Sequence, residues 1–318
     1  MQVVEEPPVT WLMPVLNGMP HLPATLDSIF RQTHRRQRLL VWDNGSTDGT
    51  LEELRRWIPH RIAGEVLSGT RLNVGASCAR LVEAARTELC ARIDGDDVNH
   101  CERLARQVQF LGRHPEVVAV GSAIRAIDEH GAPFPDHGWN LDYHEDDTDI
   151  VHELLVRAAL RHPAILFRRS AVLEAGNYAS LQPAEDYELL LRLASRGRLA
   201  NLPEHLLEYR FHRGSVSQNR KDRENFDREV RARWFAKAGE ALFGVREDVL
   251  LRLKRREHPF ALPHLLAIAR HLEARRERLG LSRRVLRPSF LDSVRHLVAP
   301  GDRLTRLAVV GARRLVRA

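Results

Sequence analysis

Short apolar runs alternate with helical patterns through the first third of the chain, and this alternation limits the fold more than any other feature. The predicted strands are Val9–Pro14, Arg38–Trp42, Arg61–Leu67 and Leu89–Ile93, and apolar residues at helical spacing lie between them. Strands that alternate with helices of about 10–15 residues indicate βαβ units and a largely parallel sheet. We therefore expect an α/β fold.

Polar turn residues follow the predicted strands at their carboxyl ends. They are Asn17-Gly18, Asp43-Asn44-Gly45-Ser46 and Asp94-Gly95-Asp96-Asp97. Because ligands of open α/β sheets bind at this edge, these clusters define the predicted site. Asp94 and Asp96 are one residue apart, so both carboxylates can face one point, and Mg²⁺ or Mn²⁺ favours such oxygen ligands. The same residues also form ordinary turns, so this pair alone is weak support.

Several common sites are excluded by the sequence. It contains no Gly-x-Gly-x-x-Gly, no Gly-Lys-Ser/Thr phosphate loop and no Gly-x-Ser-x-Gly nucleophile elbow. The run from Asp94 starts like a calcium-binding EF-hand loop, but Val98 stands at its fifth position and Ala105 at its twelfth. Dinucleotide, P-loop, α/β-hydrolase and EF-hand chemistry are therefore not expected.

The pattern changes after the fourth strand and suggests two parts. The predicted elements are strand Val117–Ile127, loop His137–Asp149, helix Ile150–Leu160, strand Ala164–Phe167, helix Pro183–Arg196 and strand Leu206–Phe211. Helical patterns dominate from Asp222 onwards. We predict a catalytic body over residues 1–218 and a mainly helical, basic extension over residues 219–318.

Charge is divided unevenly between these two parts. The whole chain carries +7, but residues 221–318 hold 24 Lys and Arg against 12 Asp and Glu. A basic extension suggests an anionic partner, although it lacks the motifs of zinc fingers, RNA-binding sheets and helix-turn-helix proteins. Asp302–Arg317 reads as a basic amphipathic helix, which would contact a membrane surface or pack on the body or a second copy. The pattern favours packing for Glu224–Leu279. Alternatively, the basic residues of the extension would only face solvent and bind no partner. The net negative charge of residues 1–220 disfavours nucleic acid as the partner.

The cellular setting is predicted from what the sequence lacks. Cys78, Cys90 and Cys101 are too few and too widely spaced for a disulfide framework or a Cys-x-x-Cys metal site, which suits a reducing compartment. The acidic, proline-rich start does not resemble a signal peptide, and no run of about 18 apolar residues is present. We expect a cytoplasmic protein, or one bound peripherally to the inner face of the membrane.

An ordered set of motifs over roughly residues 9–217 resembles the family 2 glycosyltransferases of GT-A fold. The matching stretches are Met13–Asn17, Leu26–Ile29 with Gln32-Thr33, Trp42–Thr50, Asn73-x-Gly75 with Ala79-Arg80, Ile93–Asp97, Glu102–Leu104, His162-Pro163, Phe167–Arg169, Glu185–Leu189 and Tyr209–His212. No single motif is decisive, but their order along the chain is highly specific.

The resemblance implies roles for individual residues. The implied donor-binding residues are Pro14, Val15 and Asn17 around the nucleoside, Asp43 at the base or ribose, and Arg80 near the nucleotide. Asp94 and Asp96 would hold the donor diphosphate through Mn²⁺ or Mg²⁺, and His212 would join them at the metal or contact the diphosphate. Asp186 would be the general base, with Glu185 as its neighbour.

The reaction that the resemblance implies is inverting transfer from a nucleotide-diphosphate sugar, of UDP or dTDP type, to a saccharide, a lipid-linked saccharide or a polysaccharide. A homodimer is compatible with this reading. Two alternatives from other classes stay open at this point. One is a catalytically silent GT-A-like scaffold, and the other is a basic protein that binds nucleic acid or membrane. The intact acidic loop and Glu185-Asp186 favour an active enzyme over both.

Overall fold

The computed structural model describes residues 6–134, 144–181, 184–214, 224–257, 261–282 and 287–298, with residues 285, 302, 305, 306 and 309. The boundary predicted between residues 218 and 219 lies outside these ranges. So do most of the predicted helix Asp302–Arg317 and residues 137–143 of the predicted loop.

The first half of the chain folds as alternating strands and helices, as its pattern predicts. In chain order the elements are β1 Val9–Val15, α1 Leu22–Phe30, β2 Gln37–Asp43, α2 Thr50–Trp57, β3 Gly64–Ser68, α3 Val74–Ala84, β4 Leu89–Arg92, β5 Val98–Asn99 and α4 Arg103–Arg113. Asn73 precedes α3 and accepts a hydrogen bond from the Ala76 amide at 2.8 Å, which explains where this helix begins.

The second half adds a less regular set of elements. They are β6 Val117–Ile127, α5 Asp147–Leu154, β7 Leu166–Arg168, α6 Arg169–Glu174, α7 Glu185–Arg196, β8 Arg198–Arg210, α8 Glu224–Phe243, α9 Glu247–Lys254, α10 Ala261–Arg278 and α11 Pro288–Leu297.

Three predicted bounds in this half were wrong. Helix α5 begins at Asp147, within the predicted loop, because Asp146 accepts a hydrogen bond from the Asp149 amide and caps the helix. The helix ends at Leu154, whereas the prediction extended it to Leu160. Strand β8 starts at Arg198, eight residues before the predicted start. Its pairing with β6 shifts register, so its apolar residues do not alternate regularly along the sequence.

All eight strands form one mixed sheet in the order β3-β2-β1-β4-β7-β6-β8-β5. The first four sheet positions are parallel neighbours, while β7 runs antiparallel to β4 and β6. The chain leaves β1 for β2 and β3 on one side and returns to β4 on the other. This reversal places a crevice at the carboxyl ends of β1 and β4, where open α/β sheets bind ligands.

Helices cover both faces of the sheet and bury a separate apolar cluster on each. Helices α1, α2 and α4 pack on one face, around Trp11, Met13 and Leu39 of the strands. Helices α3, α5, α6 and α7 pack on the other face. The four helices that follow β8 extend this second cluster, which runs without a break from Leu12 to Phe235 and Phe290. The C-terminal helices therefore share the core of the body.

No helix within the described ranges is long and apolar enough to cross a membrane.

Candidate active site

The loops that follow β1 and β2 are tied to each other at the sheet edge. Asn17 adopts a left-handed conformation with φ of 53°, which asparagine tolerates better than most residues. Its amide donates to Ser46 Oγ at 2.9 Å, and its Oδ1 accepts from the Thr47 amide at 2.9 Å. These reciprocal bonds fix one wall of the crevice.

Asp43 lies buried at the end of β2 and holds its own turn. Its Oδ1 accepts from Ser46 Oγ at 2.6 Å and from the Ser46 amide at 3.2 Å. Pro14 and Val15 end β1 beside it and are also buried. A Cβ added to Gly95 would lie 3.1 Å from Val15 Cγ2, so this valine supports the acidic loop from below. The roles of these residues toward a nucleotide stay predictions.

The acidic loop begins with an ion pair. Arg92, buried on β4, donates through Nη2 to Asp94 Oδ1 at 2.7 Å. The Asp94 side chain is 35% exposed at the floor of the crevice. Protein packed around it raises the pKa of this carboxyl, Arg92 opposes that rise, and repulsion from Asp96 adds to it. The ion pair of Arg92 and Asp94 therefore places two opposite charges at the floor of the crevice.

Asp96 faces His212, which lies two residues after the end of β8. Its Oδ2 lies 2.9 Å from His212 Nε2, so the structure joins two residues that are 116 positions apart. The His21 ring lies against His212 with centroids 4.8 Å apart. Arg210 holds the loop from behind, donating through Nε to the Asp96 carbonyl and through its amide to Asp97 Oδ1.

The residue types of this loop are ones that a hard divalent cation binds. Asp94, Asp96 and Asp97 lie within four consecutive positions, and His212 brings an imidazole nitrogen to Asp96. Burial, and then repulsion from Asp96 and Asp94, raises the pKa of Asp97 well above its usual value. A cation would relieve this crowding. No preformed group of three or more metal-ligating side chains occurs among the described residues, so closure around a cation requires side-chain movement.

Helix α7 brings the predicted catalytic pair to the same crevice. Glu185 is buried at its first position, and Asp186 at its second accepts from the Tyr187 amide at 2.7 Å. The negative charge of Asp186 adds a minor contribution to the raised pKa of Asp94, as expected for a carboxylate in the neighbourhood of the acidic loop. The preceding Ala184 is left-handed with φ of 91°, a conformation that costs alanine roughly 1–2 kcal/mol. Strain of this kind often occurs at functional sites.

Arg80 stands apart from this group. It lies on the solvent side of α3, with Nη1 3.6 Å from Glu83 and its side chain 64% exposed. The contacts described for it do not reach the acidic loop, and its role near the nucleotide stays a prediction.

Three residues without a predicted role support the site: Arg92, Arg210 and His21. Arg92 had a readable signal, because residues two apart on a strand face the same side and Asp94 follows two positions later. Arg210 lies within the Tyr209–His212 motif, but spacing alone could not show its contact with the acidic loop, and His21 had no sequence signal.

The glycine of the Asn73-x-Gly75 motif lies where there is no room for a side chain. A Cβ at Gly75 would lie 2.2 Å from the Ala179 carbonyl oxygen and 2.9 Å from that of Leu181. We expect Gly75→Ala to lower the free energy of unfolding by about 1–3 kcal/mol, because the backbone must move. Gly112→Ala in α4 is the matched control, since its Cβ would meet no described atom within 4 Å. Thermal unfolding should show a lower midpoint for the first variant only; equal midpoints would contradict the packing described here.

The model of the family described as glycosyl transferase family 2 matches residues 10–173. The chain belongs to this family, and its fold is GT-A.

Similar proteins support the same assignment. The amylovoran biosynthesis glycosyltransferase AmsE of Erwinia amylovora is 29% identical over 203 residues, which cover 63% of this chain and 74% of AmsE. The structure of S. aureus TarS 1–349 with UDP-GlcNAc superposes with a TM-score of 0.63 at 15% identity, covering 97% of this chain and 90% of TarS. The mannosyltransferase PcManGT from Pyrobaculum calidifontis, in complex with GDP-Man and Mn²⁺, superposes with a TM-score of 0.57 at 18% identity. The match covers 99% of this chain and 83% of PcManGT.

Proposed function

We propose that the chain transfers a sugar from a nucleotide-diphosphate sugar to a hydroxyl of a saccharide, lipid-linked or polysaccharide acceptor, with inversion at the anomeric carbon. One observation carries this proposal: Asp96 of the acidic loop lies 2.9 Å from His212 at the carboxyl ends of the parallel strands, the edge at which open α/β sheets bind ligands. The names of AmsE and of the two nucleotide-sugar complexes agree with it.

The donor would lie along the edge formed by β1, β2 and β4. The two tied loops around Asn17 and Asp43 form a wall for the nucleoside, with Pro14 and Val15 beneath it. Arg80 would contact the donor if the bound nucleotide extends over α3. A UDP or dTDP donor is expected.

Asp94, Asp96 and His212 would hold Mn²⁺ or Mg²⁺ against the donor diphosphate. When bound, the cation neutralises charge that develops on the leaving nucleoside diphosphate. Arg92 fixes the direction of the Asp94 carboxylate, and Arg210 fixes the backbone that carries Asp96. These two arginines therefore hold Asp94 and the loop backbone in place, while the remaining side chains would move to close around the cation.

Asp186 would accept the proton of the acceptor hydroxyl while its oxygen attacks the anomeric carbon. The Tyr187 amide holds one carboxylate oxygen and leaves the other for the acceptor. Asp186 lies in the first turn of α7, where the helix dipole stabilises negative charge. Glu185, buried next to it, supports the helix start.

The remaining expectations belong to the same proposal. Residues 1–218 would act as the catalytic body and residues 219–318 as its helical extension. Membrane contact, if it occurs, would use the basic C-terminal residues, most of which lie outside the described ranges.

A thermal-shift panel tests the donor site. We expect the unfolding midpoint to rise with one class of UDP-, dTDP- or GDP-sugar, and to rise further with Mn²⁺, because ligands that bind only the native state stabilise it. The nucleoside monophosphates serve as controls, since they lack the diphosphate. The absence of a shift with every nucleotide-sugar, with or without Mn²⁺, would refute the donor-site proposal.

A further inference from the structure

Helix α7, which carries the proposed catalytic pair, is held at both ends by basic side chains of the C-terminal helices. At its last turn, Arg275 of α10 donates through Nε to the Ala194 carbonyl at 3.0 Å and through Nη2 to the Gly197 carbonyl at 2.9 Å. The same guanidinium pairs with Asp147 of α5 at 2.5 Å, and both side chains are buried.

At its first turn, α7 is held through Tyr187 by Lys254, the last residue of α9. Lys254 Nζ donates to Tyr187 Oη at 3.1 Å, and this hydroxyl donates in turn to the Leu154 carbonyl at 2.7 Å. The Tyr187 ring stacks on Phe235 of α8, with centroids 6.0 Å apart. The residue that follows Asp186 is therefore fixed by three separate elements.

The Lys254 site is built for an ammonium group. Nζ has three acceptors, the carbonyls of Leu155 at 3.0 Å and Val156 at 2.6 Å and the Tyr187 hydroxyl, which match its three N–H bonds. It also lies 4.4 Å from the centre of the Phe235 ring. Burial, with smaller contributions from the charges of Arg231 and Arg256, lowers the pKa of Lys254 to about 7.

This contact lies one turn from a strained position. Ala184 stays left-handed only if the surrounding structure holds it there, and Tyr187 in the first turn of α7 contacts the C-terminal helices. Release of Tyr187 would let the start of α7 relax. Asp186, hydrogen-bonded to the Tyr187 amide, would move with it.

We propose that Lys254 is a positioning residue for Asp186: the C-terminal helices complete the catalytic site by holding the first turn of α7 through the Tyr187 hydroxyl. This proposal rests on the proposed sugar transfer for its catalytic part, but its structural part can be measured without a substrate.

The test compares Lys254→Met with Lys237→Met in the full chain. Methionine keeps an unbranched side chain only one atom shorter and removes all three donors. Lys237, exposed on α8 above Trp234, serves as the matched control. We expect Lys254→Met to lower kcat about 10-fold or more, because small displacements of a catalytic group are costly. The Kd of the nucleoside diphosphate should not change, and Lys237→Met should behave as wild type.

The pH profile separates positioning from a general loss of structure. Above the pKa of Lys254 a neutral amine has one N–H too few for its three acceptors, so the ratio of wild-type to Lys254→Met kcat should fall as the pH rises through about 7. The charged groups that face this site, Arg231 and Arg256, stay protonated throughout. A ratio independent of pH would contradict the proposed role of the ammonium.

Tyr187→Phe is the second variant and covers the case in which Lys254→Met fails to fold. It removes only the hydroxyl, and it should lower kcat in the same way. In the double variant the two losses should not add, because they break one link. Wild-type kcat in a folded Tyr187→Phe or Lys254→Met protein would overturn the proposal.

Hydrogen exchange distinguishes this failure from a failure of the proposed function. Amides in the first turns of α7 should exchange faster in Lys254→Met and Tyr187→Phe than in Lys237→Met. If no variant, including wild type, transfers sugar but this exchange pattern is found, then the transferase proposal fails and the anchoring of α7 stands. Unchanged exchange in both variants would refute the anchoring itself.

Discussion

Replacement of Asp186 by Asn should lower kcat by about 10²–10⁴-fold, the range typical for loss of a general base. The amide keeps the shape of the carboxylate, and its oxygen can still accept from the Tyr187 amide, so the helix start should be preserved. What is lost is the ability to take the proton of the attacking hydroxyl. The measurement is single-turnover transfer to the acceptor, with the Kd of the nucleoside diphosphate measured in parallel and expected to stay the same.

Asp248→Asn is the control for this substitution. Asp248 is also the second residue of a helix that begins Glu-Asp, but it lies on the surface of α9 and pairs with Arg246 at 2.8 Å. Its replacement should leave kcat unchanged. Transfer at the wild-type rate by Asp186→Asn would show that another group takes the proton, and Glu185 would be the next residue to test.

Replacement of Asp96 by Asn should weaken Mn²⁺-dependent binding of the nucleoside diphosphate by roughly 10²-fold, equivalent to about 3 kcal/mol. The expected loss is large because Asp96 lies against His212 and supplies the charge that balances a cation and a diphosphate. Calorimetric titration of the nucleoside diphosphate, with and without Mn²⁺, measures this effect. The variant should show the same weak affinity in both conditions.

Asp27→Asn is the matched control, since Asp27 is exposed on α1 and pairs only with Arg31 among the contacts described for it. It should bind the nucleotide as wild type does. If Asp96→Asn kept both its affinity and the gain from Mn²⁺, the acidic loop would not be the cation site.

The first half of the fold was predictable because its strands are short, continuous and apolar. Val9–Pro14 reads as a buried strand, and β1 is buried along its whole length. The same reasoning placed the polar clusters at one edge, where the structure finds them. The structure confirms the predicted α/β class and the GT-A fold that the motifs imply.

The second half was less predictable because its structure depends on distant contacts. Strand β8 pairs with β6 through register shifts, and α5 is positioned by Arg275, which is 128 residues away. The contact of Asp96 with His212 was implied only by the family motifs, since spacing cannot indicate that two residues 116 positions apart meet.

The C-terminal extension shows most clearly that contacts between distant residues cannot be predicted from the sequence. Its sequence indicates basic helices, and three lysines and many arginines look equivalent there. Only the fold separates Lys254 and Arg275, which anchor α7 from within the protein, from residues such as Lys237 on the surface. Part of the basic charge therefore belongs to the core next to helix α7.

The position of the bound cation tests the account most directly. Crystals grown with Mn²⁺ and the nucleoside diphosphate that stabilises the protein should give an anomalous difference peak within coordination distance of Asp96, at the crevice between β1 and β4, with the diphosphate on its open side. A nucleotide bound elsewhere, or bound in this crevice with the Mn²⁺ peak away from Asp94, Asp96 and His212, would contradict the account.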